Sequence, residues 1–242
     1  KILGRFAKKV FISFESTEKH FKPGKSILTG NPIRKELMSG DRVVGIQNFG
    51  LNPSLKTILI LGGSQGAQKI NQMVLDSLVM LVKNFQILHQ CGEGQYSSVK
   101  IGVDKLIKEG EGEYADLLKN NYKFFPFFNE AEMAMAYAVP DIIISRAGAG
   151  SLYEIATIGK PVILIPLSMR GSRGDQIANA LEFSKFGAVV MEEVNLTPHI
   201  IINQIQSLLE PDKYSSISEK LKTFAVPDAA EKIASALLVP QS

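Results

Sequence analysis

One stretch of the sequence combines a buried strand with residues that suit a phosphate. Ile142–Ile144 favour a strand that is buried on both faces, and Gly148 and Gly150 follow in a turn where the backbone can bend sharply and approach a ligand. Ser151 suits a helix N-cap, and Glu154 stands three residues later, which completes the pattern of a capping box. The free N–H groups and positive dipole end at such a helix start attract phosphate. This stretch therefore predicts a phosphorylated ligand.

A second glycine loop, Gly62–Gly66, follows an apolar run. Ser64 could donate its hydroxyl to a phosphate, while the loop amides form an anion nest. The loop is neither a dinucleotide fingerprint nor a P-loop, because the Gly-x-Gly-x-x-Gly spacing and the Gly-Lys-Ser/Thr ending are absent. A simple tight turn stays open as the alternative.

Several polar side chains have both a structural and a ligand-binding interpretation. Glu154 either completes the capping box or accepts two hydroxyls of a ribose. Gln176 and Asn179 lie three residues apart on one helix face, where two amides can bind sugar hydroxyls or simply face solvent. For Arg146 we favour a surface salt bridge over a contact with phosphate.

The sequence offers neither a confident general base nor a metal site. None of His20, His89 and His199 has a convincing Asp or Ser partner, and we expect His89 to be structural. Cys91 is the only cysteine, which excludes a disulfide or a cysteine metal cluster within one chain and fits a reducing compartment. The metal-binding spacing His-Glu-x-x-His is also absent.

The composition indicates a folded protein with an ordinary surface. The 242 residues are 45% hydrophobic and 21% charged, enough for one large domain or one domain plus part of another. The net charge of +3 is too small to indicate nucleic-acid binding. No apolar run approaches the roughly 18 residues of a membrane span, and no signal peptide is recognisable. The first ten residues are basic and apolar, so they could touch a membrane surface or pack on further protein, and the missing initiator Met suggests a fragment.

Strand-like and helix-like segments alternate after residue 50, which predicts a Rossmann-like α/β fold, a parallel sheet with helices on both faces. The predicted strands are Thr57–Leu61, Phe85–His89, Tyr122–Phe125, Asp141–Ser145, Val162–Ile165 and Ala188–Met191. The predicted helices are Ala67–Val82, a polar stretch before the third strand, Glu130–Tyr137, Ser151–Ile158, Asp175–Phe186 and two near the C-terminus. Three loops that follow strands should share one sheet edge, where such folds bind ligands: Gly62–Gly66, Ala147–Ser151 and Pro166–Gly174.

The first fifty residues have a different pattern. Lys9–Phe14 predicts a strand without neighbours, whose edge would be exposed. Asn31-Pro32 disfavours helix and marks a junction. We therefore expect residues 1–30 to be the last piece of a preceding domain, with the boundary near Gly30–Arg34.

Together these motifs closely resemble the MurG family, the undecaprenyldiphospho-muramoylpentapeptide N-acetylglucosaminyltransferases of glycosyltransferase family 28. The motifs are Ala7–Phe14, Thr29–Arg34, Gly62–Ala67, Met133–Ala138, Ser145–Glu154 and Ser172–Ala180. Each is weak alone, but their order and spacing are specific, and the match covers nearly the whole chain. The resemblance implies one half of a GT-B fold, in which two Rossmann-like domains face each other across a cleft.

The resemblance implies a hexosyltransferase that moves N-acetylglucosamine, with inversion, from its UDP donor to lipid I (undecaprenyl-diphospho-muramoylpentapeptide). The product would be lipid II of peptidoglycan synthesis. The resemblance implies no essential metal or organic cofactor, and a peripheral location at the cytoplasmic face of the bacterial membrane. The donor-binding positions carried over from the family are Arg34, Ser64, Phe128, Ala149, Gly150, Ser151, Glu154, Gln176 and Asn179.

The family gives these positions distinct roles. Phe128 lies near the position that contacts uracil. Residues 149–151 form the helix start that meets the donor sugar and diphosphate. Glu154 falls on the carboxylate that binds ribose, and Gln176 and Asn179 fall on amides that face the sugar hydroxyls.

The family's N-terminal Gly-Gly-Thr-Gly-Gly-His loop is absent, and with it the histidine proposed to help deprotonate the acceptor. We therefore assign no catalytic residue and expect the fragment alone to be inactive. We expect residues 1–33 to be a remnant of the acceptor domain and linker, 34–225 the UDP-sugar domain, and 226–242 a tail helix that packs toward the acceptor domain. The alternatives are another GT-B enzyme, such as a UDP-GlcNAc 2-epimerase or a diacylglycerol glucosyltransferase, or a donor-binding subunit that needs a partner chain.

Overall fold

The structure is a computed structural model that describes residues 6–62, 68–110, 112–168 and 174–238. The strands are β1 (Val10–Ile12), β2 (Ser26–Leu28), β3 (Lys56–Leu61), β4 (Phe85–Gln90), β5 (Tyr122–Phe125), β6 (Ile142–Ser145), β7 (Val162–Leu164) and β8 (Val189–Val190). The α-helices are α1 (Arg42–Asn48), α2 (Gln68–Leu81), α3 (Tyr96–Glu109), α4 (Glu113–Asn121), α5 (Glu130–Ala138), α6 (Ala149–Ile158), α7 (Asp175–Ser184), α8 (Pro198–Leu208), α9 (Pro211–Phe224) and α10 (Ala229–Leu238). Short 3-10 helices cover Glu15–His20, Lys35–Ser39, Glu93–Gln95 and Glu193–Asn195.

The core of the molecule is a parallel sheet of six strands in the order β5-β4-β3-β6-β7-β8. Every residue of β4 and β6 is buried, which requires helices on both faces. The first three residues of β6 are accordingly all isoleucine, whereas β4 also buries the polar side chains of Gln86, His89 and Gln90. Ile58 of β3 pairs with Ile87 on one side and with Ile142 on the other. The predicted α/β class and parallel sheet are confirmed.

The chain reverses its direction of winding at β3. It first adds β4 and β5 on one side of β3 and then returns to place β6 on the other side. Because such crossovers are right-handed, α2, α3 and α4 lie on one face of the sheet and α5, α6 and α7 on the other. At a reversal of this kind the loops after the two central strands diverge and leave a crevice at their carboxyl ends. That crevice lies between the loops that follow β3 and β6.

The predicted helices and strands differ from the structure mainly near the ends of the chain. Neither β2 nor α1 was predicted, and the polar stretch before β5 divides into α3 and α4, where Gly112 adopts a φ of +60°. Between β8 and residue 238, the last one described, the chain forms three α-helices rather than the two predicted. Pro211 lies in the first turn of α9, and Pro227 stands between α9 and α10.

The N-terminal strand has a neighbour, so the expectation of an unpaired β1 is wrong. It pairs in parallel with β2. Phe14, just beyond β1, is buried against Tyr153 of α6 and Phe224 of α9, and the Tyr153 hydroxyl donates to the Ser13 carbonyl. The residues before the predicted boundary near Gly30–Arg34 thus pack on the sheet domain through aromatic rings.

Candidate functional site

The helix that follows β6 begins two residues earlier than predicted. Gly148 is its N-cap, with a φ of −70° and no side-chain cap, and the first backbone bond runs from Leu152 N to the Gly148 carbonyl at 3.0 Å. The predicted capping box of Ser151 with Glu154 is therefore wrong, because Ser151 already lies inside the helix and Glu154 binds other partners. The three residues placed at the helix start, Ala149, Gly150 and Ser151, carry N–H groups without an intrahelical acceptor.

The two glycines of this turn have no left-handed backbone. Neither Gly148 nor Gly150 is among the glycines with positive φ in the described residues, so the chain turns from β6 into α6 without a left-handed residue at either glycine. A Cβ at Gly148 would come no nearer than 4.0 Å to Ser151 Oγ, and one at Gly150 would lie 3.7 Å from Asn31 Nδ2. The glycines themselves add no side chain to the space before the helix, which suits the approach of a ligand to the backbone.

Glu154 is held at both carboxylate oxygens. Arg34 donates to Oε1 from Nη2 at 3.2 Å and from Nε at 3.4 Å, while the Tyr137 hydroxyl donates to Oε2 at 2.9 Å. The Glu154 side chain is 13% exposed and that of Arg34 is 48% exposed. A carboxylate offers about four acceptor positions, so further hydroxyl donors can still bind Glu154.

Arg34 reaches this carboxylate because the segment after it lies unusually close to α5. A Cβ on Gly40 would overlap the backbone carbonyl of Ala134, and one on Gly45 would lie 2.5 Å from Val139 Cγ1. Only residues without a side chain allow this approach. The two glycines thus position residues 34–48 on α5, the helix that also carries Tyr137.

The two amides of α7 each bind a loop at the sheet edge. Gln176 Oε1 accepts from Leu167 N at 3.1 Å, and Asn179 Nδ2 donates to the Ala147 carbonyl at 3.1 Å. Among the described residues, neither Gln176 Nε2 nor Asn179 Oδ1 has a hydrogen-bond partner. Gln176 and Asn179 therefore also have a structural role, because their hydrogen bonds connect α7 to the loops after β7 and β6.

The ring of Phe128 belongs to the core. It is buried against Phe49 and Phe125, and its N–H donates to Gln90 Oε1 at 3.3 Å. This ring is therefore closed off from any base, and the placement of Phe128 near the uracil-contacting position stays a prediction that only its backbone could fulfil. The exposed ring is that of Phe127, which is 51% exposed.

Two of the predicted loops are described only in part. Ser64 and the rest of the stretch from 63 to 67 lie outside the described residues, as do 169–173 of the loop that leads to α7. Gly62 and residues 166–168 are described, and they follow β3 and β7 at the carboxyl edge of the sheet.

Arg146 and His89 have structural roles. Arg146 pairs with Glu193 at 2.7 Å and donates to the Ile165 carbonyl at 2.9 Å. The ion pair was predicted, but it lies largely beneath the surface, with side chains only 11% and 15% exposed. Burial lowers the pKa of His89 to about 3, so its ring is neutral, and the expectation that it is structural is confirmed.

The partner that sequence reasoning missed is Tyr137. It lies in an Ala/Met-rich helix, where a tyrosine is ordinarily a core residue, and no local pattern connects it with Glu154.

Across residues 6–62, 68–110, 112–168 and 174–238, no group of three His, Cys, Asp or Glu side chains could hold a metal ion. In the same ranges no helix has the length and apolar character needed to cross a bilayer.

Comparison with known proteins places this geometry in a family. Residues 57–233 match the glycosyltransferase family 28 C-terminal domain. A Legionella pneumophila (strain Paris) protein named UDP-N-acetylglucosamine–N-acetylmuramyl-(pentapeptide) pyrophosphoryl-undecaprenol N-acetylglucosamine transferase is 37% identical over 94% of this chain and 58% of its own length. A Bacillus cereus protein of the same name, numbered 2, is 38% identical over 86% of this chain and 54% of its own length.

A solved structure shows the same relationship. The crystal structure of Acinetobacter baumannii MurG superposes with a TM-score of 0.69 and 26% identity, covering 97% of this chain and 61% of that one. The chain thus spans little more than half the length of the curated relatives it matches. Since the family match covers most of the sequence and includes β3, β6 and α6, the chain belongs to the glycosyltransferase family 28 C-terminal domain family.

Proposed function

We propose that this chain is the donor-binding half of an inverting transferase that moves N-acetylglucosamine from UDP-N-acetylglucosamine to lipid I. The observation that carries the proposal is the pairing, on α6, of a helix start with free N–H groups and the Glu154 carboxylate. The helix start suits the diphosphate and Glu154 suits the ribose. Ser151 and Glu154 are separated by about 4.5 Å along the helix axis, so one nucleotide can meet both groups.

In such a transfer the acceptor hydroxyl attacks the anomeric carbon while UDP leaves. The helix start and Arg34 would stabilise the negative charge that develops on the departing diphosphate, an electrostatic contribution to catalysis. Binding at both ends of the nucleotide would also hold the anomeric carbon in line for attack. We assign the acceptor and its base to a second domain, since we identify no general base in this chain.

The remaining site residues have narrower proposed roles. Gln176 Nε2 and Asn179 Oδ1 would bind hydroxyls of the donor sugar. Ser64 would add a hydroxyl at the diphosphate. Phe128 can lie near uracil only through its backbone, because its ring is in the core.

The domain organisation and location follow from the same proposal. Residues 34–225 would form the UDP-sugar domain, 1–33 part of the acceptor domain and linker, and 226–242 a tail that packs toward the acceptor domain. Contact with lipid I, and with the cytoplasmic face of the bacterial membrane where it resides, would be made mainly by the acceptor domain.

Calorimetry tests the donor site directly. The chain should bind UDP-N-acetylglucosamine, and Glu154→Ala should weaken that binding about tenfold or more, because a carboxylate that accepts two hydroxyls is lost. Glu109→Ala, which removes an exposed carboxylate paired with Lys105 on α3, is the matched control. Absence of UDP-sugar binding, or equal affinity in the Glu154 variant, would refute the proposal.

The transfer step is tested on the full-length protein. With lipid I as acceptor, it should release UDP and form lipid II, and Glu154→Ala should slow both in parallel. Epimerisation of the donor without any acceptor would instead identify a 2-epimerase.

A further inference from the structure

The buried partner of Glu154 is a tyrosine that the donor site as proposed above does not use. Tyr137 comes from the penultimate position of α5, and its hydroxyl donates to Glu154 Oε2 on the neighbouring helix α6 at 2.9 Å. Its ring is almost completely buried, whereas Arg34, the other partner of Glu154, is half exposed. Glu154 Oε2 is thus held by a buried tyrosine with little room to move, and Glu154 Oε1 by an arginine that is half exposed and has more freedom.

Tyr137 can act only as a donor here. Burial raises the pKa of Tyr137 well above its usual value, and the negative charge of Glu154 raises it further. The hydroxyl therefore keeps its proton, and a carboxylate that accepts it is fixed in rotation about its terminal bond. Fixing that rotation also fixes the directions of the lone pairs that remain for a ligand.

We propose that Tyr137 is a positioning residue that orients Glu154 to accept both ribose hydroxyls, so that this site selects ribonucleotide over 2′-deoxyribonucleotide donors. The inference rests on the proposed function, because it assigns the selectivity to the same carboxylate. A preorganised carboxylate binds two hydroxyls at once without first losing rotational freedom, whereas a rotating one gains less from the second hydroxyl. Loss of the tyrosine hydroxyl should therefore reduce discrimination as well as affinity.

The chain contains a matched control on α6. Tyr153 stands next to Glu154 in sequence, is equally buried, and donates its hydroxyl to the Ser13 carbonyl instead. Tyr137→Phe and Tyr153→Phe each remove one buried hydroxyl with a partner. Both variants can lose stability, but only the first alters the support of Glu154.

The test is the affinity of the full chain for UDP and for 2′-deoxy-UDP. The chain should prefer UDP by about tenfold, the value of one hydrogen bond to a charged group. Tyr137→Phe should weaken UDP binding about fivefold and reduce the preference for UDP by about threefold or more, while Tyr153→Phe leaves the preference unchanged. In a Glu154→Ala background, Tyr137→Phe should cause no further loss.

The outcomes separate this inference from the proposed function. If the unmodified chain binds no UDP, the proposed function fails. If it binds UDP and loses affinity with Glu154→Ala, but Tyr137→Phe keeps the full preference for UDP, only the positioning role is overturned. Should Tyr137→Phe not fold, 3-fluorotyrosine at position 137 keeps the ring and makes the hydroxyl a stronger donor. A changed preference then supports the role, and an unchanged one overturns it.

Discussion

Arg34 and Glu154 stand 120 residues apart in the sequence, yet Arg34 Nη2 lies 3.2 Å from Glu154 Oε1. Arg34 ends the segment where a domain junction was predicted, and Glu154 lies on the helix that follows β6. The junction is therefore connected by an ion pair to the proposed nucleotide site. The same guanidinium adds positive charge where a diphosphate would bind and occupies an acceptor that a ribose would use.

This double role predicts opposite effects on two ligands. Arg34→Ala should weaken UDP binding about tenfold, because charge-assisted hydrogen bonds to phosphate are lost. Binding of uridine, which lacks phosphate, should stay equal or become tighter, because Glu154 loses a competing donor. Titration calorimetry with both ligands measures the two effects.

The neighbouring cation provides the comparison for Arg34. Lys35 pairs with Glu231 on α10. The Lys35→Ala protein should therefore bind UDP as tightly as the unmodified chain. A parallel loss of uridine and UDP affinity in Arg34→Ala would show that the arginine supports the site as a whole and does not contact phosphate.

The close approach of Gly40 to α5 predicts a steric cost. Gly40→Ala should reduce the free energy of unfolding by about 1–3 kcal/mol, because its Cβ would overlap the Ala134 carbonyl and backbone must shift. Gly94→Ala is the control, since no atom lies within 4 Å of a Cβ there and its φ is not positive. Urea denaturation measures both variants, and equal midpoints would contradict the packing of residues 34–48 on α5.

The hydrogen bonds of His89 predict acid sensitivity. Asn71 Nδ2 donates to the Cys91 carbonyl, so Asn71 Oδ1 accepts from His89 Nε2–H, and His89 Nδ1 accepts from the Tyr122 hydroxyl. A proton added at Nδ1 would face another donor, and burial already lowers the pKa of His89 to about 3.

The sign of the effect follows from the two pKa values. An unfolded histidine titrates near pH 6.5, so between about pH 6.5 and 3 the unfolded chain binds more protons and stability falls with falling pH. His89 should account for a loss of about 2 kcal/mol between roughly pH 7.5 and pH 5. His89→Gln should flatten the pH dependence of unfolding in urea, whereas His199→Gln, at an exposed position, should not. Identical slopes in all three proteins would refute this assignment.

Adjacent phenylalanines should respond differently to truncation. Phe128→Ala should destabilise the chain by about 3–5 kcal/mol, because it leaves a cavity between Phe49 and Phe125. Phe127→Ala should change stability by no more than about 0.5 kcal/mol, since half of that side chain is exposed. Thermal unfolding compares the two. If the Phe128→Ala protein kept its stability but no longer bound UDP, the ring of Phe128 would have to contact the ligand and the core assignment would be wrong.

The sequence predicted the positions of the six sheet strands along the chain well, because strands buried on both faces are rich in apolar residues and are bounded by turns. Residues 122–125 and the boundaries of β3, β4 and β6 illustrate this, with ends displaced by no more than a residue or so. The start of α6 was misplaced because Ser151 is a good N-cap by type, whereas Gly148 takes that position without any side-chain bond. The N-cap preference of a residue type predicts a helix start poorly when the end of the preceding strand decides where the helix begins.

By itself the sequence determined the fold class, the glycine turn after β6, the carboxylate at Glu154 and the family. These features depend on residue type and on spacing along the chain. Only the tertiary structure decided that Arg34 and Tyr137 both bind Glu154 and that Phe128 is closed inside the core. Such contacts join residues that are distant in sequence, and they depend on how α5, α6 and the segment after Arg34 pack together, which no local pattern encodes.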